Sequence, residues 1–394
     1  MKTLISFLVP DIGSPTIGAA LKLARMLEPD FRTEIIGPDF GRGICSLYRG
    51  SYPFQAIPSE KLYRLPDYCW ERRRFVDALQ GEVIIACKGF ATSVSIALMA
   101  KKKRNVPVAV YLDEWDGALW HSLGFRQKIA CLLKHGHHPA EACYLPLVES
   151  SIRKADSVLS TTTWLQKRFG GHVIHAGVDC QFFKPQPLEQ VTLLKHSLGL
   201  VGKKIIVFGG VVRPHKGVEE ILEALCLLDQ DEIRLLVVGP ITEHLQSMID
   251  SPHFGRWLVV AGDPVNALTT KNSDIHQQMP LYLDVGDLVV LPLHNTLLAQ
   301  SQMPIKIFEA MAMAKPVIGS AVSDLPLVLD GCGLVVPPDN VKALAMAIRE
   351  LFENDELARS LGRQARETCI RNYSREATRR HLLGIMEGLS GVHR

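Results

Sequence analysis

The sequence contains no C-x-x-C pair, no run of apolar residues long enough to span a bilayer, and no G-x-G-x-x-G. Each absence removes a class of protein. Nine cysteines stand singly at 45, 69, 87, 131, 143, 180, 226, 332 and 369. An odd count without ligand spacing fits free thiols in a reducing, cytosolic setting and gives no structural zinc site. A spanning helix would need about 18 or more apolar residues in a row. Without the glycine fingerprint there is no sign of a dinucleotide fold of the usual kind. Net charge is only +3, which argues against a protein dedicated to nucleic acid. The opening "MKTLISFLVPDIGS" has a short apolar run before Pro10 and Asp11, so it reads as a first β-strand and not as a secretory signal.

What is present is an α/β rhythm. The chain has 394 residues, beyond the roughly 250–300 that one core serves, so two domains are expected. It is 47% hydrophobic and 22% charged, the balance of a soluble globular chain. Apolar runs such as "TLISFLV", "EVIIACKG", "VPVAVYLDEW", "KKIIVFGG", "IRLLVVGP", "RWLVVAGD" and "DLVVLPL" alternate with helical segments. Continuous apolar strands separated by helices predict parallel sheets. The rhythm breaks at 180–200, where "QFFKPQPLEQ" reads as a linker. Helices are expected at about 340–353, 355–371 and 374–389. No internal sequence repeat is evident. The expected architecture is two facing Rossmann-like doubly wound domains with a cleft between them, and ligands at the carboxyl ends of the strands.

Two basic runs, "ERRR" at 71–74 and "KKKR" at 101–104, read as solvated helix faces or as a patch for anionic lipid or an anionic acceptor. "KHGHHPAE" at 134–141 reads as an exposed polar loop.

Four strand-to-turn junctions carry chemistry. In "VPDIGSPTIG", Gly13 and Gly18 give backbone access, and Ser14 and Thr16 are donors near a helix start. In "FGGVVRPHKGVEE", Gly210 ends a strand while Arg213 and Lys216 flank a helix start, a good anion site. In "AQSQMPIKIFEAMA", Pro304 suits the first helical position, and Ile305 and Lys306 would present backbone N–H groups. Glu309 is a lone acid in that apolar helix. Its side chain tilts toward the helix start, where a carboxylate can accept two ribose hydroxyls. In "VYLDEWDGALWHS", Asp113, Glu114 and Asp116 stand with Trp115, Trp120 and His121, acids and rings suited to a polyhydroxylated ligand.

Taken in order, these motifs resemble a GT-B-fold retaining glycosyltransferase of family 4 (glycosyl transferases group 1). "KADSVLSTTTWLQKRFG", "IHAGVDCQFFKP", "FGGVVRPHKGVEEILEAL", "LDVGDLVVLPL", "PIKIFEAMAMAKPVIGSAVSDLPLVLDGCGLVVPPDN" and "NYSREATRRHLLGIMEGL" carry the likeness, strongest from about 150 onward. The resemblance implies an acceptor-binding domain at 1–185, a donor-binding domain at 200–373, and a last segment, 374–394, that packs back on the first domain. It implies Lys216 at the diphosphate; Arg213, two places beyond the family's usual Arg, and Asp113 and Glu114 are further catalytic candidates from their own positions. Glu309 would bind the ribose. Gly13, Ser14, Gly210, Gly239, Ser301, Met303, Pro304, Ile305 and Lys306 would line the donor site, and Gly262 to Val265, including Pro264, would lie beside the nucleobase. Trp115, Asp116 and His121 are the acceptor-side candidates.

The implied reaction takes a nucleotide-diphosphate sugar, with uridine the commoner nucleoside, to a hydroxyl of a carbohydrate, lipid-linked or small-molecule acceptor. It needs no metal and no further cofactor. The expected location is the cytoplasm, with peripheral contact at the inner membrane face through the basic runs. Three positions depart from the family pattern. Ser301 stands where a first Glu is usual, Val211 where an Arg is usual, and Asp113–Trp115 where a His is common. Two alternatives stay open: a catalytically silent relative that binds nucleotide sugar, and an epimerase of the same layout. The epimerase would need carboxylate bases that the Ser301 loop does not supply.

Overall fold

The computed structural model describes residues 2–59, 64–175, 177–261 and 271–391. The chain divides into two units, Met1–His175 with Thr378–Arg394, and Ala176–Ala377.

Among the described residues the first unit holds a seven-stranded parallel sheet: β1 (Leu4–Leu8), β2 (Arg32–Asp39), β3 (Phe54–Pro58), β4 (Val83–Cys87), β5 (Val108–Leu112), β6 (Ser157–Ser160) and β7 (His172–Val173). The spatial order is β3-β2-β1-β4-β5-β6-β7. The helices are α1 (Ile17–Leu27), α2 (Tyr68–Ala78), α3 (Ile96–Arg104), α4 (Ala118–Ser122), α5 (Phe125–His135), α6 (Leu145–Ile152) and α7 (Thr163–Phe169). Strands β4 and β5 are buried along their whole length, as "VIIAC" and "VAVYL" require of central strands covered on both faces.

The second unit repeats the plan with six described strands: β8 (Lys204–Gly209), β9 (Ile233–Val238), β10 (Leu258–Ala261), β11 (Leu288–Leu291), β12 (Val317–Ser320) and β13 (Leu334–Val336). All pairs are parallel, in the order β10-β9-β8-β11-β12-β13. Its helices are α8 (Leu188–Ser197), α9 (Val218–Leu228), α10 (Glu243–Ile249), α11 (Lys271–Val285), α12 (Leu297–Ser301), α13 (Ile305–Ala312), α14 (Leu325–Val328), α15 (Val341–Glu353) and α16 (Asp355–Thr368). The last helix, α17 (Arg375–Ser390), begins in this unit and continues in the first.

The crossing points differ from the sequence expectation. The first unit ends at His175, not 185, because the segment after it belongs to the second core. The Val178 N–H donates to the Tyr373 carbonyl at 2.9 Å, the Arg375 N–H donates to Val178 at 2.8 Å, and Cys180 and Phe183 are buried in the second unit. The expected linker at 180–200 contains α8, a mostly polar helix that buries Val191. On the return, Leu382 and Met386 of α17 are buried with Ile5, Phe7 and Ile35, and Arg379 pairs with Asp30.

In each sheet the direction of winding reverses once, between β1 and β4 and between β8 and β11. Loops at the carboxyl ends of such strand pairs part to leave a crevice, where open α/β sheets bind ligands.

Candidate functional site

In the second unit the crevice is walled by the loops after β8 and β11 and by the start of α13. The β8 loop runs from Gly209 through Arg213 and a short 3-10 turn, Pro214–Lys216, to Gly217. Gly217 has φ +70, and a Cβ there would lie 2.0 Å from the Pro292 carbonyl oxygen. Only glycine permits both the left-handed backbone and this approach of the β11 loop. The loop after β9 packs as closely, since a Cβ on Gly239 would lie 2.4 Å from the Gly210 carbonyl oxygen. His294 ties the β11 loop down. Its Nε2 is 2.8 Å from Glu220, its Nδ1 2.5 Å from Asp339, and its backbone N–H donates to the His215 carbonyl at 3.2 Å.

Three cations meet here. Lys306, in the first turn of α13, brings its Cε within 3.3 Å of where a Gly210 Cβ would stand. Burial, the Arg213 charge and the Lys306 charge push the Lys216 ammonium down to about 8. Like charges held this close are unfavourable without an anion, and an ammonium driven down this way marks a candidate functional site.

Glu309 lies one turn beyond Lys306. Its side chain is 5% exposed, Oε2 is buried without a hydrogen bond among the described residues, and the Lys306 Nζ is 3.4 Å away. Pro304 is the N-cap and Ile305 the first helical residue, one place later than the sequence predicts. Met303 is buried. Ser301, at the end of α12, is fully buried and donates to the Leu298 carbonyl at 2.9 Å, so its hydroxyl is engaged within its own helix. Pro264 and Val265 lie outside the described residues.

In the first unit the crevice lies beside the loop after β1. The Gly13 N–H donates to Asp11 Oδ1 at 2.8 Å, the Thr16 N–H donates to Ser14 Oγ at 3.3 Å, and Thr16 Oγ1 is buried without a partner among the described residues. Gly18 does not open backbone to a ligand as expected. A Cβ there would lie 2.2 Å from the Tyr48 hydroxyl, which fills that space.

At the ends of β4 and β5 stands a buried ionic cluster. Lys88 follows β4 with φ +69, unusual for a long side chain. Its Nζ lies 2.6 Å from Asp113 Oδ1 and 2.6 Å from Glu114 Oε1. Asp116 is buried and accepts from the Gly89 N–H at 2.8 Å. Burial pushes its carboxyl up to about 7, with the Lys88 charge and the Gly89 hydrogen bond opposing. Burial alone would lower the Lys88 ammonium, but Asp113, Asp116 and Glu114 outweigh it and hold it above its ordinary value. Sequence reasoning found the acids and missed this lysine. Its signal was a base closing a fully apolar strand, in "VIIACKG".

Trp115 is buried beside this cluster. Its Nε1 donates to Glu149 Oε2 at 3.0 Å, the Arg168 guanidinium lies 4.2 Å over its ring, and the His121 ring is 4.8 Å away. So Asp113, Glu114, Asp116, Trp115 and His121 are gathered in one place, while the indole is already covered by Arg168.

Residues 202–354 match the family model of the Glycosyl transferases group 1. The matched stretch lies within the second unit. Among curated proteins the chain is similar to an α-D-kanosaminyltransferase of Streptomyces kanamyceticus, 26% identical over 49% of this chain and 47% of that one. It is also similar to the D-rhamnosyltransferase WbpZ of Pseudomonas aeruginosa, 26% identical over 62% of this chain and 60% of that one. The matches thus span about half to three fifths of these relatives. Among solved structures, Anabaena HepE in complex with UDP aligns with TM-score 0.74 at 15% identity, over 98% of this chain and 100% of that one. At that identity the likeness shows the fold, and the fold is GT-B.

Proposed function

We propose that the chain is a retaining glycosyltransferase that moves a sugar from a nucleoside diphosphate sugar, a UDP-sugar, to an acceptor hydroxyl. One observation carries the reading: Arg213, Lys216 and Lys306 converge at the carboxyl end of β8, and burial together with the two neighbouring charges drives Lys216 down to about 8. A diphosphate relieves the repulsion. As the bond from sugar to diphosphate breaks, charge develops on the leaving oxygen, and preorganised cations lower that barrier. The N–H groups opening α13 act in the same direction. Side-chain cations thus meet the phosphate charge without a metal. Glu309 takes the ribose hydroxyls, which supply partners for its buried Oε2.

The UDP complex of HepE and the transferase names of the relatives support this reading. In the first unit, Asp113 and Glu114 receive the acceptor hydroxyl, bordered by Asp116, Trp115 and His121. The acceptor is a carbohydrate, lipid-linked or small molecule. The protein works in the cytoplasm, with peripheral contact at the membrane face. One observation favours a second reading, a nucleotide-sugar binder without turnover: Ser301 is buried where the family has an acid.

The test is a panel of UDP- and GDP-sugars with hydroxyl acceptors. Nucleotide release that needs both donor and acceptor, and that disappears in Lys216→Ala, is the expected result. UDP binding by calorimetry with no release from any pair would establish the second reading instead. The anomeric configuration of the product, read by NMR, tests retention.

A further inference from the structure

Helix α5 buries none of its residues. Its apolar side chains nevertheless form one stripe. Phe125, Ile129, Leu132 and Leu133 fall at i, i+4, i+7 and i+8, one face of a 3.6-residue helix. Phe125 is 80% exposed and Leu133 81%. Such a stripe normally covers a core. A contiguous exposed apolar patch marks a surface that something else covers.

The charge around the stripe says what. The segment "FRQKIACLLKH" carries Arg126, Lys128 and Lys134 and no acid. By helix geometry Arg126 and Lys128 flank the apolar face on its two sides. The surface also continues beyond the helix. The Leu65 N–H donates to the His137 carbonyl at 2.8 Å, which sets a further exposed leucine beside the end of α5.

The basic run at 101–104, by contrast, is largely paired within the chain, in part at exposed positions. Lys101 pairs with Asp156 at 2.7 Å and Lys103 with Asp77 at 2.5 Å, while Arg104 donates to the Gln80 and Gly81 carbonyls at 3.1 Å. In the other run, Arg74 pairs with Glu71 at 2.7 Å. The sequence pointed to these runs as the lipid-facing patch, but the structure uses much of their charge locally. Helix α5 has 11 residues, too short to span a bilayer. An apolar stripe with flanking cations and no acid on the helix itself is instead the pattern of a helix lying in the plane of an anionic membrane surface.

We propose that α5 docks the protein on an anionic bilayer. Phe125, Ile129, Leu132 and Leu133 enter the boundary between headgroups and acyl chains, and Arg126 and Lys128 meet lipid phosphates. This names the surface for the membrane contact suggested above, and it stands apart from the transferase reading because it is measured without donor or acceptor.

The experiment is co-sedimentation of the full chain with vesicles of phosphatidylcholine containing phosphatidylglycerol, and with vesicles of phosphatidylcholine alone. The parent protein should bind the anionic vesicles and lose binding as salt is raised. Phe125→Ser with Leu133→Ser should weaken binding about tenfold or more, because two inserted side chains are lost. Both positions are exposed, so an unchanged thermal transition is expected. Lys102→Glu, in the 101–104 run, should bind nearly as well as the parent. Equal sedimentation of the parent and the double variant would overturn the proposal, as would failure of the parent to bind anionic vesicles. A lipid-free dimer that the double variant dissolves, with vesicle binding unaltered, would assign the stripe to a second copy of the chain.

Discussion

The Lys306 ammonium stands 3.4 Å from Glu309 Oε2, one turn apart on α13, and among the described residues that oxygen has no hydrogen bond. A buried carboxylate held only by a long ion pair is costly to the folded protein. Such an arrangement is retained where a ligand completes it.

Glu309→Ala should therefore weaken UDP binding by about 1.5–3 kcal/mol, the range for hydrogen bonds to a charged group. That is roughly ten- to a hundredfold in affinity. Isothermal calorimetry on the folded variant decides it. Unchanged affinity for both UDP and GDP would refute the ribose role.

Lys216 gives a pH signature. Burial, Arg213 and Lys306 bring its ammonium from 10.5 down to about 8. Turnover should decline as pH rises past about 8, where the cation is lost, and a bound diphosphate should move that decline upward. Stability moves the other way. Between about 8 and 10.5 the unfolded chain binds the proton and the folded one does not, so folding free energy improves as pH climbs through that window. Lys216→Ala should lose most turnover, keep its fold, and show neither effect. A pH–rate profile and a series of thermal melts, each run on parent and variant, check both halves. Equal turnover in variant and parent takes Lys216 out of the mechanism.

Much of this was legible in the sequence where pattern and burial coincide. The runs "VIIAC", "VAVYL" and "KIIVFG" read as buried parallel strands because no polar residue interrupts them, and α13 read as a helix from its proline start and spacing. Arg213, Lys216 and Glu309 were findable because they sit at strand and helix ends, where local sequence predicts open backbone groups. Helix α8 was hidden because Pro185 and Pro187 broke the rhythm and its surface is polar. Lys88 left almost no trace. Its importance comes from neighbours 25 or more residues away, and only the parallel pairing of β4 with β5 brings them together. The role of α5 was invisible for the opposite reason: its apolar spacing is that of a core helix, and only the fold leaves it uncovered.

The Lys88 cluster yields the last prediction. The Asp116 carboxyl is raised from 3.8 to about 7 by burial. Between those values the folded chain holds a proton that the unfolded chain has released, so this group makes stability fall as pH rises from about 4 to about 7. Asp116→Asn keeps an oxygen to accept from the Gly89 N–H and removes the titration. It should flatten that slope and leave the protein more stable than its parent above about pH 7. Lys88→Met does the reverse. It leaves Asp113, Glu114 and Asp116 together without their counter-charge. Breaking a buried pair costs about 3–5 kcal/mol. Asp113 and Glu114 retain 32% and 28% exposure, so solvent screening sets the loss near the low end, about 3 kcal/mol at neutral pH. Urea unfolding near pH 5 and pH 8 measures both variants. The loss in Lys88→Met should be smaller at the lower pH, where Asp116 is protonated, and Lys88→Met combined with Asp116→Asn should recover part of it. A loss that is the same at both pH values, with no recovery in the double variant, would mean that Lys88 acts through packing and not as the counter-ion of this loop.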